Sequence, residues 1–183
     1  MKAKIAPRKE IVLLYQSEKI EGSDRLFALL TQMQIPYKEV APSELGQTTG
    51  TLAGYRSDPQ EETAVQPQTP AMAMGGLAGK RLDQLLNAMR QQQIDLPVKM
   101  VITQHNERWP FGTLIEEVGR EHQLFVAMER LQRLCKRAQQ VEGFDPILIK
   151  RAQDALSRMR SEQEAPTREE LEGLSDQLES LLG

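Results

Sequence analysis

Twice along the first 103 residues, a short apolar run gives way to a turn-forming stretch, then to a helical apolar stripe, then to a second extended run. That order constrains the fold more than any other feature, because two parallel strands need a crossover between them and an amphipathic helix is the usual one. In the first pass, Ile11-Val-Leu-Leu-Tyr15 has a strand's length and is apolar throughout, the pattern of a strand buried on both faces. Ser23 is placed to cap the following helix, whose stripe is Leu26, Phe27, Leu29, Leu30 and Met33. Pro36 ends that helix, and Tyr37–Val40 alternates like an edge strand. In the second pass, Ala71–Met74 is a strand closed by Gly75-Gly76. Leu82, Leu85, Leu86 and Met89 form the helical stripe, Pro97 breaks it, and Val98–Thr103 is the fourth strand.

Two β-α-β units in series predict an α/β (α+β sandwich) domain over residues 10–122, with a small four-stranded sheet. A ferredoxin-like split β-α-β sheet is the first expectation, and a thioredoxin-like or flavodoxin-like open sheet the next. All of these bury the same residues, so the pattern leaves the strand order open. Between the units, Arg56–Gln68 is polar and Pro-containing with nothing to bury, so a mobile surface loop is expected over about 55–69.

Beyond Arg120 the periodicity is helical only. An apolar face from Phe125 to Val141 extends the helix that Leu114, Ile115 and Val118 begin. Pro146 starts a return helix, and Thr167-Arg-Glu-Glu170 has the spacing of a capping box before a last leucine-rich helix. Residues 123–183 therefore read as a C-terminal helical extension. Only 4% of the residues are aromatic, so every core here must rely on Leu, Ile, Val, Met and Ala.

Several chemistries are closed off. A formal net charge of -3 gives no whole-molecule attraction to nucleic acid or to an anionic membrane. No apolar run approaches the ~20 residues that span a bilayer, and the basic start Met1–Pro7 has no apolar stretch behind it as a secretory signal would. With one cysteine, Cys135, there is no internal disulfide, and the cytoplasm is the expected compartment. The opening unit and Ile35-Pro36-Tyr37 are similar to glutaredoxins, yet no cysteine lies between Tyr15 and Asp24, where the nucleophile would stand. Met74-Gly-Gly-Leu-Ala-Gly-Lys80 lacks the spacing of a phosphate loop and reads as a tight turn. His105 and His122 form no metal-binding pair, the neighbours Glu116-Glu117 and Glu169-Glu170 diverge on their helices, and no Gly-x-Ser-x-Gly is present. No catalytic residue, metal or cofactor is expected.

Two segments carry candidate sites. In Lys99-Met-Val-Ile-Thr-Gln-His-Asn-Glu-Arg-Trp109, a strand ends in polar residues beside the sole tryptophan. Ligands of open α/β sheets tend to bind at carboxyl strand ends, so Thr103 and Asn106 could hydrogen-bond a polar group, Lys99 balance its charge and Trp109 wall it. Structurally, the same residues serve as a well-bonded turn, with Lys99 sharing a strand face with Thr103 but ~13 Å from it. Arg130, Arg133, Lys136 and Arg137 recur on one side of a helix, enough for a few salt-sensitive phosphate contacts. No aromatic residue interleaves to stack bases, so pairing with the acidic tail is expected ahead of RNA.

The residues Gly79–Leu86, Leu96–Lys99, Val101–Thr103, Asn106, Trp109 and Leu114–Glu117 resemble a bacterial family, the domain of unknown function number 3783. Ile11–Tyr15, Glu44–Gln47, Gly50 and Leu52 fit upstream, so the resemblance covers about residues 10–122. It implies a small α/β domain and brings no catalytic residue. Where family members often carry Thr or Ser after the tryptophan, this chain has Pro110, so the helix cap must come from elsewhere. The reading that results is a non-enzymatic binding or adaptor module whose tail self-associates or docks a protein partner. A small polar-ligand sensor or weak enzyme at the Lys99–Trp109 edge is the alternative.

Overall fold

The computed structural model describes residues 8–57, 65–159 and 165–183. The chain divides into two compact units, Met1–Gly119 and Arg120–Gly183.

In the first unit, strand β1 (Ile11–Tyr15), helix α1 (Ser23–Gln32) and strand β2 (Tyr37–Glu39) form one β-α-β element. A four-residue helix, α2 (Thr49–Leu52), precedes strand β3 (Ala71–Gly75), helix α3 (Lys80–Gln91) and strand β4 (Val98–Val101). The sheet order is β2-β1-β3-β4. Within each β-α-β element the two strands are parallel neighbours, and the two elements meet through an antiparallel β1–β3 pair centred on Leu13 opposite Ala73. The expected class is thus observed, an α/β sheet followed by helices. Of the arrangements left open, the split one is not realised, because no strand separates the partners of either unit. An approximate two-fold axis through the β1–β3 centre relates the two β-α-β elements.

The alternation of side chains on the central strands feeds two apolar layers. Val12, Leu14, Met72 and Met74 pack with Leu26, Leu29 and Leu30 of α1 and with Leu85 and Met89 of α3. Leu13, Tyr15, Ala71 and Ala73 face the other way, into a layer with Leu45, Leu52, Phe111, Leu114 and Ile115. Central β3 is buried over all five residues, which is why it carries no polar side chain. Both edges are short and each bears a lysine, Lys38 on β2 and Lys99 on β4, a charge that discourages further strand addition.

The two crossover helices close in the same way. Gln34 and Gln93 adopt left-handed φ values of 55° and 54°. The N–H of Ile35 reaches the Leu30 carbonyl, and the N–H of Ile94 reaches that of Met89, each at 2.9 Å. These are Schellman closures, in which the residue after the left-handed one tucks its apolar side chain back onto the helix. Glutamine is an unfavourable occupant of that conformation and glycine a favourable one. Gln34→Gly and Gln93→Gly should each raise stability by about 0.5–1 kcal/mol in urea unfolding. A loss in both would mean that the backbone does not hold these angles. At its other end, α1 departs from expectation. Ser23 is the first helical residue rather than the cap, and Gly22, at φ 82°, holds the cap position with no side-chain bond.

Helix α4 (Phe111–Ala138) begins in the first unit and continues into the second. The second unit also contains α5 (Pro146–Arg158) and α6 (Arg168–Leu182), and it has a core of its own. Ala127, Leu131, Leu134, Cys135 and Ala138 of α4 pack with Leu148, Ala152 and Ala155 of α5 and with Leu171, Leu174 and Leu178 of α6. Asp145 caps α5 by accepting from the N–H of Ile147 at 2.9 Å, with Pro146 at the first helical position. On α6 the anticipated capping box is one-sided. Thr167 accepts from the Glu170 N–H at 3.2 Å, while the Glu170 carboxylate turns to Arg158. Of the loop expected over about 55–69, residues 58–64 lie outside the described residues.

Candidate functional site

The strand β4 ends at Val101, and the chain then makes a turn braced by the side chains of Thr103 and Asn106. The Thr103 N–H donates to Asn106 Oδ1 at 2.8 Å, and the Asn106 N–H donates back to Thr103 Oγ1 at 3.3 Å. Asn106 Nδ2 donates to the Val101 carbonyl at 3.0 Å, satisfying an edge-strand oxygen. This reciprocal brace has the logic of a helix capping box and starts the short 3-10 turn Asn106–Arg108. Trp109 follows, 36% exposed, with the His105 ring 5.8 Å from its own in a tilted arrangement. The structure therefore brings Thr103, Asn106 and Trp109 to one corner.

Lys99 is not part of that corner. Its register partner is Met72, so it lies on the α3 face of the sheet, and its ammonium donates to the Leu96 carbonyl at the opposite end of β4. It lines a separate hollow with Leu86, Met89, Arg90, Ile94 and Asp95.

Behind the turn stands a charged cluster that the sequence did not reveal. Glu107 is only 7% exposed, and its carboxylate lies 2.6 Å from the Arg8 guanidinium and 3.8 Å from that of Arg56. Arg8 also sits 5.0 Å above the Tyr55 ring, a cation–π contact. Tyr55 donates its hydroxyl to the Lys9 carbonyl at 2.7 Å. Burial raises the Tyr55 pKa, which keeps that hydroxyl a donor; Arg8 pulls it down and Glu107 pushes it up, both less strongly. A methyl group on Gly75 would stand 2.3 Å from the Tyr55 oxygen, so Gly75, the last residue of β3, is a floor for this cluster. Its members are separated by up to a hundred positions in sequence, and no local spacing could have grouped them.

The helix after Pro110 finds its cap in backbone. The Phe111 N–H donates to the Gln47 carbonyl at 3.0 Å and the Gly112 N–H to the Leu45 carbonyl at 2.9 Å. Thr49 adds its own N–H and hydroxyl to the Trp109 carbonyl, at 2.9 and 3.0 Å. Orphan N–H groups of the first turn are thereby satisfied by the 45–49 segment instead of by a Ser or Thr side chain.

On the helical unit, Arg130 is held by Asp176, at 2.9 Å, and by Glu179. These carboxylates raise its pKa, the Glu179 hydrogen bond most. The expected pairing with the acidic tail exists at this residue. Among the described residues Arg133, Lys136 and Arg137 make no ion pair, and they line a shallow trough with Glu129, Gln132 and Gln140. Cys135 is buried in the bundle core, and burial pushes its thiol pKa up, away from nucleophilic chemistry. No group of three or more potential metal ligands occurs among the described residues, and none of their helices is long and apolar enough to cross a membrane.

No curated protein and no solved structure matches the chain. A family model does match, over residues 70–125, which run from the start of β3 through the braced turn into α4. The segment that contains Thr103, Asn106 and Trp109 thus lies within the stretch similar to the family described as Domain of unknown function (DUF3783).

Proposed function

We propose that the chain is a non-enzymatic, cytoplasmic binding module whose helical unit associates with a second copy of itself. The observation that supports this reading is the placement of the two most exposed large apolar side chains of the helical unit. Ile147 on α5 is 71% exposed and Leu181 on α6 is 61% exposed, and together they flank a groove of about 540 Å³. Side chains of this size stand that far into solvent at a cost unless something covers them. A two-fold contact places the same patch on both partners, so charges within it attract across the contact only if both signs are present. This groove has both, with Arg151 opposed to Asp145 and Asp176, the latter already paired with Arg130. The braced turn gives catalysis little support, because Thr103 and Asn106 are already occupied with backbone.

Sedimentation velocity over a concentration series tests the proposal. The full chain should shift from monomer to dimer with increasing concentration. Ile147→Glu with Leu181→Glu should weaken the dimer by at least about tenfold, since two buried aliphatic side chains per partner are lost. Helical circular dichroism should be unchanged. A chain that stays monomeric at several hundred micromolar, or a double variant that dimerises equally well, overturns it.

A further inference from the structure

The hollow that contains Lys99 has the chemistry of a small-anion site. It lies at the edge of the first unit, between α3 and β4, and has a volume of about 250 Å³. Its floor is Leu86, Met89 and Ile94, of which Met89 and Ile94 are buried in the sheet-and-helix core. Strand alternation puts Lys99 on this face, because Val98 and Met100 turn to the other layer. Lys99 is exposed at this edge position, opposite Met72 in register, and lines the hollow beside the aliphatic floor. Arg90, on the last turn of α3, supplies a second cation, and among the described residues its side chain makes a long 3.4 Å contact to Asn87. Asp95 completes the rim, so the hollow carries two positive charges and one negative over an aliphatic base.

We propose that this hollow binds a short-chain carboxylate, with the carboxylate between Lys99 and Arg90 and the alkyl chain on Leu86, Met89 and Ile94. The net single positive charge matches a monoanion better than a phosphate dianion, which Asp95 opposes. The floor accepts a few methylene groups and no aromatic ring stands over it, so a linear chain fits better than a planar nucleobase. The lysine alone is also explained as an edge-strand guard that satisfies the Leu96 carbonyl. The guard role does not account for a second cation over the same aliphatic floor. The site is on the first unit and does not depend on the dimer proposed for the second.

Amide chemical shifts of Ile94 and Lys99 in the full chain, titrated with hexanoate, hexanol and inorganic phosphate, test this proposal. Hexanoate should give saturable shifts, while hexanol and phosphate should not. Lys99→Gln and Arg90→Gln should each raise the hexanoate dissociation constant about tenfold, the loss expected for a charge-assisted hydrogen bond, and Lys99→Arg should retain binding. Spectra of the free variants report their folding separately from binding. Shifts that never saturate with hexanoate overturn the proposal. So does equal binding of hexanol, stronger binding of phosphate, or full affinity in a folded Lys99→Gln chain.

Discussion

Phe111→Ala should lower the stability of the first unit by about 3–5 kcal/mol, the range for emptying a fully buried aromatic site. Phe111 is 0% exposed and lies in the layer built on Leu13, Ala71 and Ala73. The small side chains of β3 on this face provide room that a large ring must fill. The same residue opens α4, and its N–H reaches the Gln47 carbonyl, so truncation empties a core position directly beside a backbone cap. Trp109 is two residues away and is the sole tryptophan, so urea unfolding followed by its fluorescence reads the affected layer directly. A loss below about 1 kcal/mol would place the ring outside the packed layer.

The second large effect is expected at Gly76. Its φ is 69°, and a Cβ there would stand 2.4 Å from the Lys9 carbonyl oxygen. Gly76→Ala therefore combines a left-handed backbone penalty with a collision against main chain, for about 2–4 kcal/mol in all. Gly54 separates the two contributions. Its φ is 71°, but an added methyl group would meet nothing within 4 Å. Gly54→Ala should accordingly cost about 1 kcal/mol, from the backbone alone. Equal losses at the two positions would show that Arg8 and Lys9 do not rest against the turn in solution.

These contrasts mark what the sequence made legible. Both β-α-β units, the edge position of Tyr37–Glu39 and the helical extension follow from runs and stripes, because burial imposes period 2 on strands and 3.6 on helices. The antiparallel junction of β1 and β3 leaves no such trace, since every open arrangement buries Leu13 and Ala73 alike. The turn at Thr103 and Asn106 was readable as a brace or as a cradle from residue types alone. Only the paired bonds to backbone distinguish the two uses. Lys99 was grouped with that corner by proximity in sequence, whereas the length of β4 carries its ammonium to the other end. Pro110 announced a missing side-chain cap but gave no hint that Leu45 and Gln47 would supply carbonyls from sixty-odd residues upstream. The buried Glu107 with Arg8 and Arg56 was invisible for the same reason.

The junction at the sheet centre bears on how this family should be delimited. The matched stretch begins where β3 begins, so it retains β3, α3 and β4 and omits both β1 and β2. Excised at that boundary, the piece would expose the full hydrogen-bonding edge of its most deeply buried strand. Two such pieces joined edge to edge would regenerate a four-stranded sheet of order β4-β3-β3-β4, with the same antiparallel middle. Similarity and self-sufficiency therefore have different limits in this polypeptide: what is recognisable is half a sheet, and the other half comes from residues outside the matched stretch.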